Sequence, residues 1–245
     1  MIWLYTGTPG SGKSLHAAEV IFSRLRRGGG LICNFPVNED LVRRRKGHAE
    51  YWDNSDLTAR RLAAYAFEHH KMGKEGQTLV VIDECQIIFN CRQFGRADRA
   101  DWVTFFSQHR KLGFNMILIT QNDRMLDKQI RALVEYEIRH RKLENYGLGG
   151  KILKLLTFGR TWFVSIEYWY GGNKLKLDSE MFPYRQKYAD IYDSYRMFSD
   201  TGTPGGDACA GGDRAAVGPR GTASPPGGLV SVGKSVPVGQ AVTQG

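Results

Sequence analysis

An α/β fold with a mostly parallel sheet and helices on both faces is what this sequence predicts. Three observations carry that reading. The short apolar run Ile2-Trp3-Leu4-Tyr5-Thr6 feeds a glycine-rich turn and then a segment with helical period. The runs Thr78-Leu79-Val80-Val81-Ile82 and Asn115-Met116-Ile117-Leu118-Ile119 are almost unbroken apolar stretches ending in polar residues, as strands buried on both faces are. Strand-like and helix-like segments alternate along the chain, the pattern of crossover connections between parallel strands.

Each element follows in order. After the first strand, Leu15, Ala18, Phe22 and Leu25 recur on one face of a helix, which Gly28-Gly29-Gly30 stops. Leu31 to Phe35 reads as a second strand ended by Pro36, and residues 40 to 54, polar and basic, read as a loop or insertion. Leu57, Arg61, Ala64 and Phe67 lie at helical spacing in a helix running to about His70. The acidic strand over 78–83 comes next. Asp98 to Leu112 is helical by period, with Trp102, Phe105, Phe106 and His109 inward, and leads into the strand over 115–120. A short helix is expected over 126–133. Strand-like alternation returns over 134–141 and 161–170, joined by a Gly-rich stretch at 147–150.

The chain has 245 residues, and from Thr201 onward it has no aromatic residue but 12 Gly and 5 Pro. Such a segment cannot bury enough apolar surface to offset its ordering entropy, so residues 199–245 are expected to be a disordered tail behind a domain at 1–198. The tail carries about +1 of the formal net charge of +9, so the basic excess sits on the domain. That excess suggests a polyanionic partner, nucleic acid or an anionic membrane surface, with Arg24/Arg26/Arg27, Arg43 to Lys46 and Arg139 to Lys142 as the basic runs. Cys33, Cys85, Cys91 and Cys209 have no metal-ligand spacing, and the first two read as buried thiols of a reducing compartment. No apolar stretch of membrane-spanning length occurs.

The chemistry is concentrated at three points. Gly7-Thr8-Pro9-Gly10-Ser11-Gly12-Lys13-Ser14 has the spacing G-x-x-x-x-G-K-[ST], a loop whose backbone N–H groups cradle phosphates. With Leu15 these residues make the expected nucleotide site. Lys13 would reach the β/γ oxygens, and Ser14 would ligate Mg²⁺. Asp83, closing the acidic strand, is expected to hold Mg²⁺ through water, and Glu84 is placed to activate the attacking water. Gln121, after the 115–120 strand, is placed to align that water. The extra strand at 31–35 between Lys13 and Asp83, taken with Glu84, resembles the additional-strand, catalytic-glutamate class of phosphate-loop NTPases, which contains ATP-driven motors. Arg96, Arg110 and Arg131 are candidates for an arginine acting on a neighbouring subunit's site.

Two stretches carry a closer resemblance. Leu79-Val80-Val81-Ile82-Asp83-Glu84-Cys85-Gln86, and Gln108-His109-Arg110-Lys111-Leu112-Gly113 running into Ile117-Leu118-Ile119-Thr120-Gln121, together with the loop at 7–14, resemble the zonular occludens toxin (Zot) family. That family includes the gene I assembly ATPases of filamentous phage, relatives of the FtsK/HerA DNA-pumping motors. The resemblance covers roughly residues 1–195. It implies a Mg-dependent ATPase supporting phage assembly and the export of single-stranded DNA virions. It also implies a homo-oligomeric ring, contact with phage DNA and with membrane-embedded assembly proteins, and a cytoplasmic location at the inner face of the host membrane. Family members commonly place a membrane span after the ATPase domain, where this chain has its Gly/Pro-rich tail. That departure leaves no basis for a toxin activity. The alternative to a motor is a nucleotide-gated binding module without efficient hydrolysis.

Overall fold

The computed structural model describes residues 1–38, 47–92, 97–145, 160–171 and 174–192. The expected tail, the basic run at 43–46, Arg96, the Gly-rich stretch at 147–150 and Cys209 lie outside them. One eight-stranded sheet organises the chain, in the order β3-β2-β4-β5-β1-β6-β7-β8. Its strands are β1 (Ile2–Thr6), β2 (Gly30–Cys33), β3 (His48–Tyr51), β4 (Thr78–Ile82), β5 (Phe114–Ile119), β6 (Tyr136–Lys142), β7 (Trp162–Trp169) and β8 (Leu175–Pro183). The pairings from β3 to β6 are all parallel, whereas β6–β7 and β7–β8 are antiparallel.

Both faces of the parallel part are covered, which explains why β4 reads as an unbroken apolar run with all five residues buried. On one face, Leu4, Val80, Ile82, Met116 and Leu118 pack with Leu62 and Ala66 of α2 (Ala59–His69) and Trp102, Phe105 and Phe106 of α3 (Arg99–Gln108). On the other, Leu79, Val81, Ile117 and Ile119 pack with Ala17, Ala18, Ile21 and Leu25 of α1 (Lys13–Arg26). Alternate strand residues belong to opposite clusters, as period-two side chains must. Among the described residues there are also two short helices, α4 (Lys128–Ala132), capped by the Asp127 carboxylate on Gln129 N at 2.8 Å, and α5 (Gln186–Ala189).

Three expectations are revised. The strand separating the loop's strand β1 from the acidic strand β4 is β5, and the run at 31–35 supplies β2 on the far side of β4. The additional-strand architecture is therefore present, built by a different strand, because order along the chain does not fix order across a sheet. Residues 48–51, expected in a loop, pair in parallel with β2 as the edge strand β3. In α2 the packed face is Ala59, Leu62 and Ala66, while Arg61 and Ala64 are exposed and Phe67 is 71% exposed. The strand β8 is not among the expected elements; Leu175, Leu177 and Met181 fall at alternate positions in it, yet seven of its nine residues are exposed. Among the described residues no helix is long and apolar enough to cross a membrane.

Candidate nucleotide site

Because β1, β2, β4 and β5 run parallel, their carboxyl ends meet at one edge of the sheet, where open α/β sheets place their ligands. The loop over 7–12, Asp83-Glu84 and Thr120-Gln121 all leave the sheet there. The loop turns back through Gly7, Gly10 and Gly12, at φ 144°, 72° and 94°. At Gly7 a Cβ would stand 2.5 Å from the His140 carbonyl oxygen, a backbone atom that cannot step aside, so glycine is required for space as well as for φ.

Helix α1 begins at Lys13 with Gly12 as its N-cap, without a capping side chain and without an acidic residue in its first turn. No side chain could serve there without strain, because Gly12 has φ 94° and a Cβ would stand 2.7 Å from the Phe163 ring. The first N–H groups of α1 and the positive end of its dipole are left facing the loop, the arrangement that binds anions. Ser11 Oγ is buried in the loop with no hydrogen-bond partner. Lys13 folds back so that Nζ donates to the carbonyls of Gly7 (2.8 Å) and Thr8 (3.2 Å). Burial lowers its pKa, opposed by the negative charges of Glu84 and Asp83, so the ammonium and both carboxylates share one field.

Asp83 is placed by more than its strand. Asn34, just past β2 and buried, accepts from Asp83 N (2.7 Å) and donates to Asp83 O (2.9 Å) and to Asn54 Oδ1 (2.8 Å). Oδ1 of Asp83 accepts from Glu84 N at 2.8 Å, and Oδ2 accepts from the Tyr192 hydroxyl. Burial raises the Asp83 pKa, countered by those two donors. The Tyr192 ring stacks on Phe35 with centroids 4.2 Å apart, and its hydroxyl interacts with Ser14 as well as Asp83. Ser14 and Asp83 thus converge on one hydroxyl, two hard oxygen donors of the kind Mg²⁺ prefers. The described residues hold no cluster of three or more His, Cys, Asp or Glu that would make a metal site by itself.

Glu84 adopts φ 45°, ψ 45°, the left-handed region that costs a non-glycine residue about 1–2 kcal/mol. Gln86 Nε2 donates to its carboxylate. Gln121 accepts the Gly7 N–H through its carbonyl at 3.4 Å and has an exposed side chain. It lines a cleft of about 380 Å³ with Gly7, Thr8, Asn122, Arg124, Arg139 and Arg141.

Behind the loop, polar groups hold β1 to β6. Glu137, buried, accepts from Thr6 Oγ1 (2.8 Å), Arg139 Nε (3.0 Å) and Lys174 Nζ (2.8 Å). Burial alone would raise its pKa, but Arg139, Lys174 and Thr6 hold it below the usual range. His140 lies 3.3 Å from the Thr6 carbonyl through Nδ1 and 2.8 Å from His16 Nδ1 through Nε2. One ring must donate and the other accept between them, so the two cannot both be protonated at once. Burial pushes His16 down to about 4 and His140 well below its ordinary value.

Of the arginine candidates, Arg131 lies on the loop's edge, donating to Asp123 O at 3.3 Å. Arg110 sits at the opposite edge, paired with Glu135. The run 139–142 is not a free basic face, since Arg139 pairs with Glu137, His140 is buried and Lys142 pairs with Glu144. Cys33 and Cys85 are buried thiols, as expected; burial pushes Cys33 up to about 12 and Cys85 well above its ordinary value.

Comparison with known proteins places this geometry. The model of the zonular occludens toxin (Zot) family matches residues 1–190. The chain belongs to the Zot family. The Gene 1 protein of Enterobacteria phage I2-2 is 29% identical over 215 residues, covering 81% of this chain and 57% of that protein. The Gene 1 protein of Enterobacteria phage M13 is 26% identical over 224 residues, covering 83% and 62%. This Zot-family chain therefore spans less than two thirds of the length of these relatives. In three dimensions it is similar to the N-terminal domain of zonular occludens toxin from Neisseria meningitidis, with a TM-score of 0.51 and 19% identity, covering 78% of this chain and 98% of that one. That likeness speaks for the fold: a phosphate-loop α/β domain of the additional-strand type.

Proposed function

We propose that this Zot-family chain is a Mg-dependent ATPase whose turnover drives filamentous-phage assembly and the export of single-stranded DNA virions. The observation that carries hydrolysis, as opposed to binding alone, is Glu84. It directly follows Asp83 at the loop's edge of the sheet, it is held in a costly left-handed conformation, and Gln86 fixes its carboxylate. Strain of this kind gathers at functional sites, which favours a role in the chemistry over a simple turn.

In this reading the N–H groups of the loop and of the first turn of α1 bind the phosphates. Lys13 exchanges its carbonyl partners for β/γ oxygens. Ser14 and Asp83 would hold Mg²⁺, which would draw charge from the phosphate oxygens. Glu84 takes a proton from water as its oxygen attacks the γ-phosphorus, and the bond to the β-bridging oxygen breaks, leaving ADP and phosphate. Gln121 aligns the water from the γ side. An arginine of a neighbouring copy in a homo-oligomeric ring completes the charge balance, with Arg131, Arg110 and Arg96 as candidates. The phage role and the contacts with single-stranded DNA and membrane-embedded assembly proteins rest on membership of the family and on the likeness to the phage Gene 1 proteins.

The test is steady-state phosphate release by the full chain with ATP, with and without Mg²⁺ and single-stranded DNA. Mg-dependent release that DNA accelerates is the expected result. Tight nucleotide binding without release under any of these conditions would favour a nucleotide-gated binding module and overturn the ATPase.

A further inference from the structure

A second cleft, of about 210 Å³, opens on the α1 side of the loop. It is lined by residues 10–15 together with Phe163 and Tyr184, two aromatic residues from the antiparallel end of the sheet. Neither belongs to the phosphate-binding motif, and neither is used by the chemistry above. Phe163 is 6% exposed, stacks on Phe182 at 5.5 Å and lies directly under the loop; a Cβ on Gly12 would stand 2.7 Å from its ring. Tyr184, by contrast, is 46% exposed. Its backbone is tied to Thr161 O at 2.8 Å and its hydroxyl donates to Gln186 Oε1 at 3.0 Å, so an exposed aromatic ring is held at both ends.

The direction of the triphosphate decides what enters this cleft. Lys13 Nζ reaches back to Gly7 and Thr8 and shares its field with Asp83 and Glu84, so the γ end lies toward Gly7. The α-phosphate then falls at the other end of the loop, by Ser14 and Leu15. Whatever is attached beyond the α-phosphate is directed away from Glu84, into the space floored by Phe163 and walled by Tyr184.

We infer that Tyr184 is the nucleobase platform of this site, stacking the base of a bound nucleoside triphosphate over the Phe163 floor. The assignment rests on the nucleotide reading of the loop and adds the recognition of the base to it. Every base presents a π-face, and the Tyr184 hydroxyl is already committed to Gln186, so the platform grips purines without choosing between them. ATP and GTP therefore bind with affinities within a few-fold of each other.

The experiment measures the affinities of ATP, GTP and inorganic tripolyphosphate, each with Mg²⁺, for the full chain and for Tyr184→Ala and Tyr184→Phe. Base-on-aromatic stacking contributes about 1–3 kcal/mol, so Tyr184→Ala should weaken ATP and GTP by roughly five- to a hundred-fold and leave tripolyphosphate unchanged. Tyr184→Phe, which keeps the ring, should bind like the parent. Unchanged ATP affinity in Tyr184→Ala overturns the platform alone, as does an equal loss for tripolyphosphate, which would mark a damaged loop. A strong preference for one purine overturns the base tolerance. Failure of the parent chain to bind any of the three overturns the nucleotide reading and the platform with it.

Discussion

Replacing Asn34 by Leu tests how the acidic pair is placed. Asn34 is 8% exposed and lies 49 residues before Asp83, yet its carboxamide satisfies both the N–H and the C=O of Asp83, at 2.7 and 2.9 Å. Leucine has nearly the same shape and neither bond. Two backbone groups would be orphaned, each costing about 1–3 kcal/mol when shut away from water. Asp83 is only partly buried, and water reaching its backbone would recover part of that cost. The expected loss is therefore about 2–4 kcal/mol in urea unfolding followed by far-UV circular dichroism. Turnover should suffer separately. Glu84 inherits its position from the Asp83 backbone, and a displacement of about 1 Å at a reacting group can cost on the order of 100-fold in rate. The phosphate loop, carried by β1 and α1, is untouched, so kcat should fall about 100-fold while KM for ATP changes little. A loss below about 1 kcal/mol with unaltered kcat would refute the view that Asn34 holds the acidic pair in place.

Further predictions concern Tyr192 and the histidine pair. Tyr192→Phe keeps the stacking on Phe35 but removes a donor to a partly buried carboxylate, and hydrogen bonds to charged groups contribute about 1.5–3 kcal/mol. Its urea midpoint at neutral pH should drop accordingly, and an unchanged midpoint would show that the bond contributes nothing. Acid should weaken the protein through His16 and His140. Both have folded pKa values below the unfolded value of 6.5, so the unfolded chain takes up protons first. Their contribution is complete above about pH 6.5 and fades as pH falls toward 4, at about 3 kcal/mol for the His16 shift alone. The slope of unfolding free energy against pH over that window should flatten in His16→Phe. An identical slope in parent and variant would contradict the neutral-pair account.

The site's chemistry was legible because its residues are contiguous. Gly7 to Ser14 and Asp83-Glu84 are short runs in which spacing alone gives the chemistry, and β4 and β5 announce themselves because both of their faces are buried. What was not legible depends on contacts between distant segments. Tyr192 meets Asp83 across 109 residues and His16 meets His140 across 124, and nothing local marks either pair. The position of β5 between β1 and β4 is a choice of partners in space, so the insertion was assigned to β2 in its place. Strand β3 lies at one edge with no buried side chain and lacks the apolar alternation that reveals a strand, whereas β8, at the other edge, has Leu175, Leu177 and Met181 at alternate positions but leaves them exposed. Phe163 falls in an expected strand and Tyr184 in a stretch with no expected element, and nothing local connects either to the loop beside which they lie.

Parallel titrations of ATP affinity and phosphate release for the parent chain, Lys13→Ala and Glu84→Gln test the central claim most directly. General-base catalysis contributes about 100- to 10,000-fold, so Glu84→Gln should lose at least about 100-fold in turnover while binding ATP as the parent does. Lys13→Ala should lose both. A Glu84→Gln protein that turns over at the parent rate, or that loses ATP affinity as severely as Lys13→Ala, would contradict the role of Glu84 as the group that activates water.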